Sequence, residues 1–452
     1  MKLVVFAHTP PPLHGQSYMV ELMLEGFGGD RRKRRNGAPE PPYDIQCYHV
    51  NAQLSKNLED VGMARGGKLF ALLSHCLQAI WCRFRYGAST LYYVPAPGKR
   101  AALYRDWLVM ALCRPFFNRV VFHWHATSLA KWLEMVTNVR TRGISYRLMG
   151  SVDLSIALSK FNLFNAEKLW PRKLTVVPNG IPDPCPDFTR TVLPRRLARQ
   201  EARVRILAGE NLSSAHDAAV AAPGDGRTPP AVAEASPPAN PAVVRVLFLA
   251  HCTREKGLFD AIDAVLLAND NLRQSRSPLR FELTIAGTFQ DPEEKTAFQH
   301  LLGTDPRAKA IHYAGFVTGD QKVQMLCDAD VLCFPSHWEN QPVSVIEALA
   351  FGLPPLISNL PSVEEMMPAA YTGVAEVKNP EQIARTLLKL VSFSDFAGLR
   401  SHFDSHFTVE TFRANLARAL KDLEADKSHA PQGVPGRNLA PRPSLIPPAS
   451  AR

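Results

Sequence analysis

His337–Ser358 reads HWENQPVSVIEALAFGLPPLIS. Two glutamates, Glu339 and Glu347, are separated by seven residues, and the apolar run that opens at Pro342 stops at Gly352-Leu353-Pro354. Proline in the first turn of a helix costs no hydrogen bond, while Gly followed by Pro ends one. A helix from Pro342 is therefore expected. Its free backbone N–H groups and its dipole favour an anion such as a phosphate. Glu347 falls about one turn further in, on the side of Val343 and Ala350. A carboxylate inside such a run is costly to bury unless something pairs with it, and it can accept two hydrogen bonds from a vicinal diol such as a ribose. Glu339, on the strand-end loop before the helix, is placed to bind a second sugar. The plainer alternative makes the pair a surface cap and a helix-dipole glutamate.

The surroundings give that stretch a fold. VLCFPS (Val331–Ser336) before it and PLIS after it read as short buried strands flanking the helix. The same alternation extends back through FELTIAG (Phe281–Gly287) and AIHYAGF (Ala310–Phe316) to VVRVLFLA (Val243–Ala250). A separate series occupies the first part of the chain: LVVFA (Leu3–Ala7), DIQCYHV, LYYV, VVFHWHA (Val120–Ala126), LSIALS and LTVVPN, with helical stretches between most of them. Apolar strands alternating with helices imply parallel sheets covered on both faces. Two doubly wound α/β domains are expected, residues 1–185 and 243–408, facing each other across a cleft at the carboxyl ends of the strands. Residues 186–242 lose the pattern, and Gly209–Ala242 is rich in Ala, Pro, Gly and Ser, so this segment is expected to be a flexible insertion or linker. A helix over 409–425 and a disordered tail over 426–452 complete the division.

At 452 residues the chain exceeds one ordinary core. The eight cysteines form no CxxC pair and no metal-ligand cluster, which points to reduced thiols and a cytoplasmic protein. The apolar start, MKLVVFA, is too short for a signal or a span. The formal charge of +10 is concentrated in the first third, in DRRKRR (Asp30–Arg35), RFR (Arg83–Arg85), Lys99-Arg100 and RTR (Arg140–Arg142). These clusters suggest an anionic surface or acceptor for the N-terminal half, with Arg35, Lys99 and Arg100 its contacts. No zinc-finger, RNP-like or KH-like motif argues for nucleic acid. The apolar stretch Leu69–Gly87, with its basic end, reads first as a core-packing helix and second as one lying on a membrane surface.

In order along the chain, PPPLHGQS (Pro10–Ser17), HWHATS, VVPNGIP (Val176–Pro182), LAHCTREKGL (Leu249–Leu258), AGF (Ala314–Phe316) and FPSHWENQPVSVIEALAFGLPPLIS resemble the motifs of retaining family 4 glycosyltransferases. The resemblance runs over roughly residues 1–424 outside the insertion. It implies the GT-B fold of two Rossmann-like domains, with the nucleotide-sugar donor held mainly by the second. By the resemblance, Lys256 neutralises the donor diphosphate, as suits a compact ammonium on a strand-to-helix loop, and Glu347 holds the ribose. Glu339, with the backbone of Asn340 and Gln341, orients the transferred sugar beside Pro342 and Val343 at the helix start. His125 contacts that sugar from the other domain, and Gly15 lets the backbone come close to the phosphates. Base choice is expected near Thr288 and Phe316. One position departs: where the family commonly has Arg, five before the lysine, this chain has His251, leaving Arg254 or His251 to complete the positive clamp.

His123, beside His125, reads as a core strand residue, and CDAD (Cys327–Asp330) as a helix end rather than a metal motif. The expected protein is a metal-independent retaining glycosyltransferase without a separate cofactor, moving a sugar from a nucleotide-diphosphate donor to a glycan or lipid-linked acceptor of the cell envelope, at most peripheral at the inner face of the membrane. The alternative is a non-catalytic nucleotide-sugar or glycan-binding protein on the same scaffold. A dinucleotide enzyme such as an epimerase lacks its GxGxxG after the first strand.

Overall fold

The computed structural model describes residues 1–11, 15–33, 40–53, 66–126, 128–209 and 240–426. Arg35, most of the Gly209–Ala242 segment and nearly all of the tail lie outside them.

Six strands form the first sheet: β1 (Lys2–Ala7), β2 (Gln46–Asn51), β3 (Thr90–Tyr93), β4 (Arg119–Trp124), β5 (Leu154–Ala157) and β6 (Lys173–Val176), in the order β2-β1-β3-β4-β5-β6. The second contains β7 (Val243–Leu249), β8 (Arg280–Ala286), β9 (Ile311–Gly315), β10 (Val331–Phe334), β11 (Pro355–Ser358) and β12 (Val374–Ala375), in the order β12-β11-β10-β7-β8-β9. Every pairing is parallel, from Leu3 opposite Thr90 to Val243 opposite Arg280. Parallel strands need crossovers, and the helices supplying them cover both faces, which is why Leu3–Ala7 and all of β10 and β11 are buried.

Side chains of β1 alternate between two cores. Val4 and Phe6 pack toward Leu72, Cys76, Leu103 and Met149 of the helices Gly66–Tyr86, Arg100–Cys113 and Val139–Met149. Leu3 and Val5 face Met19, Val20 and Met23 of the Gly15–Gly26 helix. The last helix, Val409–Ala425, belongs to this second core: Val409, Phe412, Leu416, Leu420 and Leu423 recur at helical spacing on it and are buried against the first domain. Burying each such side chain contributes about 1.5–3 kcal/mol. The chain thus returns to its first domain after completing its second. It passes Gly180–Ile181 on the way, where Ile181 N–H donates to Phe407 O at 2.9 Å and Val409 N–H to Ile181 O at 2.9 Å. A Cβ on Gly180 would lie 2.2 Å from Thr408 O, so the Asn-Gly pair here admits a close backbone crossing.

The segment after residue 185 corrects the linker expectation in part. Phe188–Leu207 is a helix of 20 residues, despite an internal Pro194. It docks on the second domain through guanidinium groups. Arg196, buried, donates to Phe351 O at 2.9 Å, Ala329 O at 2.7 Å and Leu326 O at 2.8 Å. Arg199 donates to the carbonyls of Asp328 and Cys327. These are the exposed-carbonyl ends of the helices Gly319–Asp328 and Val343–Ala350, where a cation is favoured. An apolar-periodicity reading misses a helix whose docking groups are arginines.

Candidate active site

The loops at the carboxyl ends of the two sheets meet. Strand β10 ends at Phe334, and the loop through Glu339 leads to the Val343–Ala350 helix. Pro342 is the residue capping that helix rather than its first-turn residue. Next to β10 in the sheet is β7, whose loop carries His251, Arg254 and Lys256 into the helix Leu258–Gln274. Adjacent strands place adjacent loops, and these two are tied: His337 N–H donates to Glu255 O at 2.8 Å, Ser336 Oγ to the same oxygen at 3.2 Å, and His337 Nε2 pairs with Asp260 at 2.7 Å. Gly257 turns the first loop with φ 75°, and a Cβ there would meet Pro335 O at 2.1 Å, so only glycine lets the loops lie this close.

Lys256 Nζ is bonded to Glu339 Oε1 at this junction. His251 is half-buried beside them. Burial, and then the Lys256 charge, lower its pKa from the ordinary imidazole value, with Glu339 opposing. The junction therefore sets the Lys256 ammonium beside an imidazole whose charged form is disfavoured. Arg254 goes elsewhere, its guanidinium 4.3 Å over the Phe259 ring and its backbone N–H donating to Glu294. Between the two residues left open by the sequence, it is His251 that joins Lys256.

Glu347 is 8% exposed, and its partner is Lys322 of the Gly319–Asp328 helix, Nζ to Oε1 2.5 Å. Sequence reading missed Lys322, whose only signal is a lysine on a helix before β10. It also missed Tyr18, whose phenol is pushed up first by burial and then by the Glu347 charge. Tyr18 belongs to the Gly15–Gly26 helix, and a Cβ on Gly15 would lie 3.9 Å from Val343 Cγ2. The first turns of two helices, one from each domain, therefore approach each other at Gly15 and Val343. Helix N-termini favour an anion, and here two of them lie close together.

Asn340 and Gln341 fasten the Glu339 loop to the first domain. Asn340 Nδ2 donates to His125 O at 3.2 Å, and Asn162 Nδ2 donates to Asn340 Oδ1. Asn179 N–H donates to Gln341 Oε1 at 2.5 Å, and Gln341 Nε2 reaches Leu158 O at 3.4 Å. Their side chains point into the neighbouring domain, and Asn179 Nδ2 also donates to Gln341 O at 3.3 Å. His125 follows β4 directly, its ring 4.4 Å from that of His123. His123 is a core residue bonded to Tyr92 OH, and burial lowers its pKa well below the ordinary value. Thr288 and Phe316 sit just past β8 and β9, and Phe316 is exposed. Asp330 of the CDAD stretch is buried and bound by Arg203, Arg199 and the Arg245 N–H, a structural use.

Over nearly its whole length the chain superposes on the Anabaena protein HepE solved in complex with UDP: 11% identity, 93% of this chain and 100% of that one, TM-score 0.59. The fold is GT-B. Residues 234–404, which include all six strands of the second sheet, match the family described as glycosyl transferases group 1. An uncharacterized glycosyltransferase of Methanocaldococcus jannaschii is 31% identical over 144 residues, covering 31% of this chain and 33% of that protein. A 41.2 kDa protein in the cps region of Klebsiella pneumoniae is 23% identical over 164 residues, 36% and 37% of the two chains. The chain thus spans about a third of the length of these curated relatives. The group 1 match covers Lys256, Glu339 and Glu347.

Proposed function

We propose that this GT-B protein transfers a sugar from a nucleotide-diphosphate-sugar to a glycan or lipid-linked acceptor, with retention of configuration and without a metal, as a family 4 enzyme of cell-envelope polysaccharide synthesis acting on the cytoplasmic side. The observation that carries the reading is the convergence of Lys256, Glu339 and two helix N-termini at one junction of the strand-end loops. Fixed positive charge of this kind stabilises a departing diphosphate. The HepE complex with UDP and the group 1 match support the same donor class.

In this reading the diphosphate binds beside Gly15 and Val343 and takes the Lys256 ammonium. Glu339 is then free to accept from hydroxyls of the transferred sugar, with the backbone of Asn340 and Gln341 and the ring of His125 beside it. Glu347 holds the ribose through its remaining oxygen, and Phe316 offers a face to the base near Thr288. The bond from the anomeric carbon to the diphosphate breaks, and the acceptor oxygen bonds to that carbon from the same side. The acceptor proton passes to the departing diphosphate oxygen.

A second reading, a nucleotide-sugar-binding protein without turnover, is favoured by the imidazole of His251, whose charged form burial disfavours, standing where a permanent cation would strengthen the clamp. The deciding experiment follows thermal stabilisation by UDP-, GDP-, ADP- and dTDP-sugars for the wild type and Glu347→Ala, together with release of nucleoside diphosphate. A shift with one nucleotide class that vanishes in the variant, accompanied by diphosphate release, supports the transferase. A shift without release over hours supports the binding protein, and no shift in folded protein removes both.

A further inference from the structure

The helix Gly66–Tyr86 is apolar on two sides. One stripe, Leu72, Cys76, Ala79 and Cys82, is buried against the first sheet. On the outer side Leu69, Leu73, Leu77 and Trp81 follow at every fourth residue with Phe70 and Phe84 alongside, and all six are exposed, Phe70 by 78% and Leu77 and Phe84 by 68% each. Single exposed leucines need no explanation, whereas a contiguous stripe of this kind does. The stripe continues sideways. Phe84 meets exposed Phe116 edge-on with ring centroids 5.9 Å apart. The helices Arg100–Cys113 and Val139–Met149, next in the same layer, add exposed Tyr104, Val139 and Ile144. Ten of the 21 large hydrophobic side chains exposed among the described residues lie on this layer or the turn after Cys113.

Its charge is one-signed. Between Gly66 and Phe117 the sequence has seven Lys and Arg residues and one acid, Asp106. Asp106 is buried and bonded to Tyr93 OH at 2.6 Å and Arg105 at 3.0 Å, so it offers no negative charge to the surface. Arg85, Lys99, Arg100 and Arg140 are exposed. A second copy would bring this basic face against itself in a two-fold dimer, which like charges oppose. An interface of acyl chains under anionic headgroups matches both the aromatic-aliphatic stripe and its cationic border. No helix among the described residues is long and apolar enough to cross a bilayer, so the layer would lie on one.

One end of the layer adjoins the cleft. A pocket of about 340 Å³ there is lined by Arg100, Leu103, Tyr104, Trp132, Val136 and Thr141, among others. Trp132 follows Lys131, whose ammonium lies 5.8 Å over the Trp338 ring on the Glu339 loop.

We propose that the outer face of this three-helix layer docks on an anionic bilayer, bringing membrane-borne acceptors to the cleft beside Arg100. The docking stands on the layer alone, while its use for an acceptor rests on the proposed transferase. The test sediments the full chain with vesicles of phosphatidylcholine containing 30% phosphatidylglycerol, and with phosphatidylcholine alone, and reads nucleotide stabilisation separately. The expected result is at least tenfold stronger partition to the anionic vesicles, weakening between 0.1 and 0.5 M NaCl. Leu77→Glu with Trp81→Glu should lower it at least tenfold at unchanged nucleotide response, and Arg85→Gln or Arg100→Gln about fivefold each. Equal partition to both vesicles, or none, overturns the docking. So does a self-associated wild type that Leu77→Glu with Trp81→Glu converts to a monomer without touching vesicle binding, which would assign the face to a second copy. Loss of the nucleotide response alone would sink the donor reading and leave the docking standing.

Discussion

The Glu347 carboxylate is nearly buried in an apolar helix, and the Lys322 ammonium 2.5 Å away balances its charge. Lys322→Met removes that balance and keeps most of the stem. Because Lys322 is about a third exposed, solvent screens part of the loss. The expected cost is about 1–3 kcal/mol of unfolding free energy, below that of breaking a fully buried pair. Urea titration of Lys322→Met, Glu347→Gln and the double variant measures it. The double variant should be more stable than the sum of the singles predicts, and strictly additive values would show that the pair holds nothing. His251 behaves differently. Its environment disfavours its charged form, and a diphosphate beside it would favour that form. Donor binding should then take up a proton, strengthening as pH falls toward 6. Isothermal titration in buffers of different ionisation enthalpy checks this, and a binding enthalpy independent of buffer would refute it.

Two helices show how far an element's chemistry can depart from an apolar stripe. Val409–Ala425 has a regular one, and its existence is plain from the sequence, but not that it packs on the first domain 400 residues earlier. Phe188–Leu207 has a weak stripe, an internal proline, arginines at 196 and 199 that face the ends of other helices, and Arg203, which bonds Val243 O and Asp330. Replacing Arg196 by Met strands three carbonyl oxygens, each bonded now at 2.7–2.9 Å. A loss of about 2–4 kcal/mol is expected, from several charge-assisted bonds with partial compensation by packing. A variant as stable as the wild type would mean that the helix is a passive connector.

At the scale of the molecule, five histidines among the described residues, His49, His75, His123, His251 and His402, have pKa values lowered first by burial. Between those values and the ordinary 6.5, the unfolded chain binds more protons than the folded one. Stability therefore rises with pH through this window and is lost as pH falls below 6.5. The melting temperature should be lower at pH 5.5 than at pH 7.5, and a flat or reversed dependence would contradict the neutral burial of these rings.

The alternation of apolar strands with helices implied all of the first sheet and five strands of the second, missing the two-residue β12, because burial on two faces leaves a local pattern in the chain. Glu339 and Glu347 were visible for the same reason, as charges interrupting an apolar run at a helix start. Three decisions came only with the tertiary structure: that Lys322 neutralises Glu347, that His251 rather than Arg254 stands beside Lys256, and that arginines dock the Phe188–Leu207 helix. Lys256 and Glu339 meet because β7 and β10 are neighbours in the sheet, although 83 residues separate them in the chain. Spacing along a chain records which face a residue occupies. Which charge lies opposite depends on strand order and on distances across packed elements, and no local periodicity encodes those.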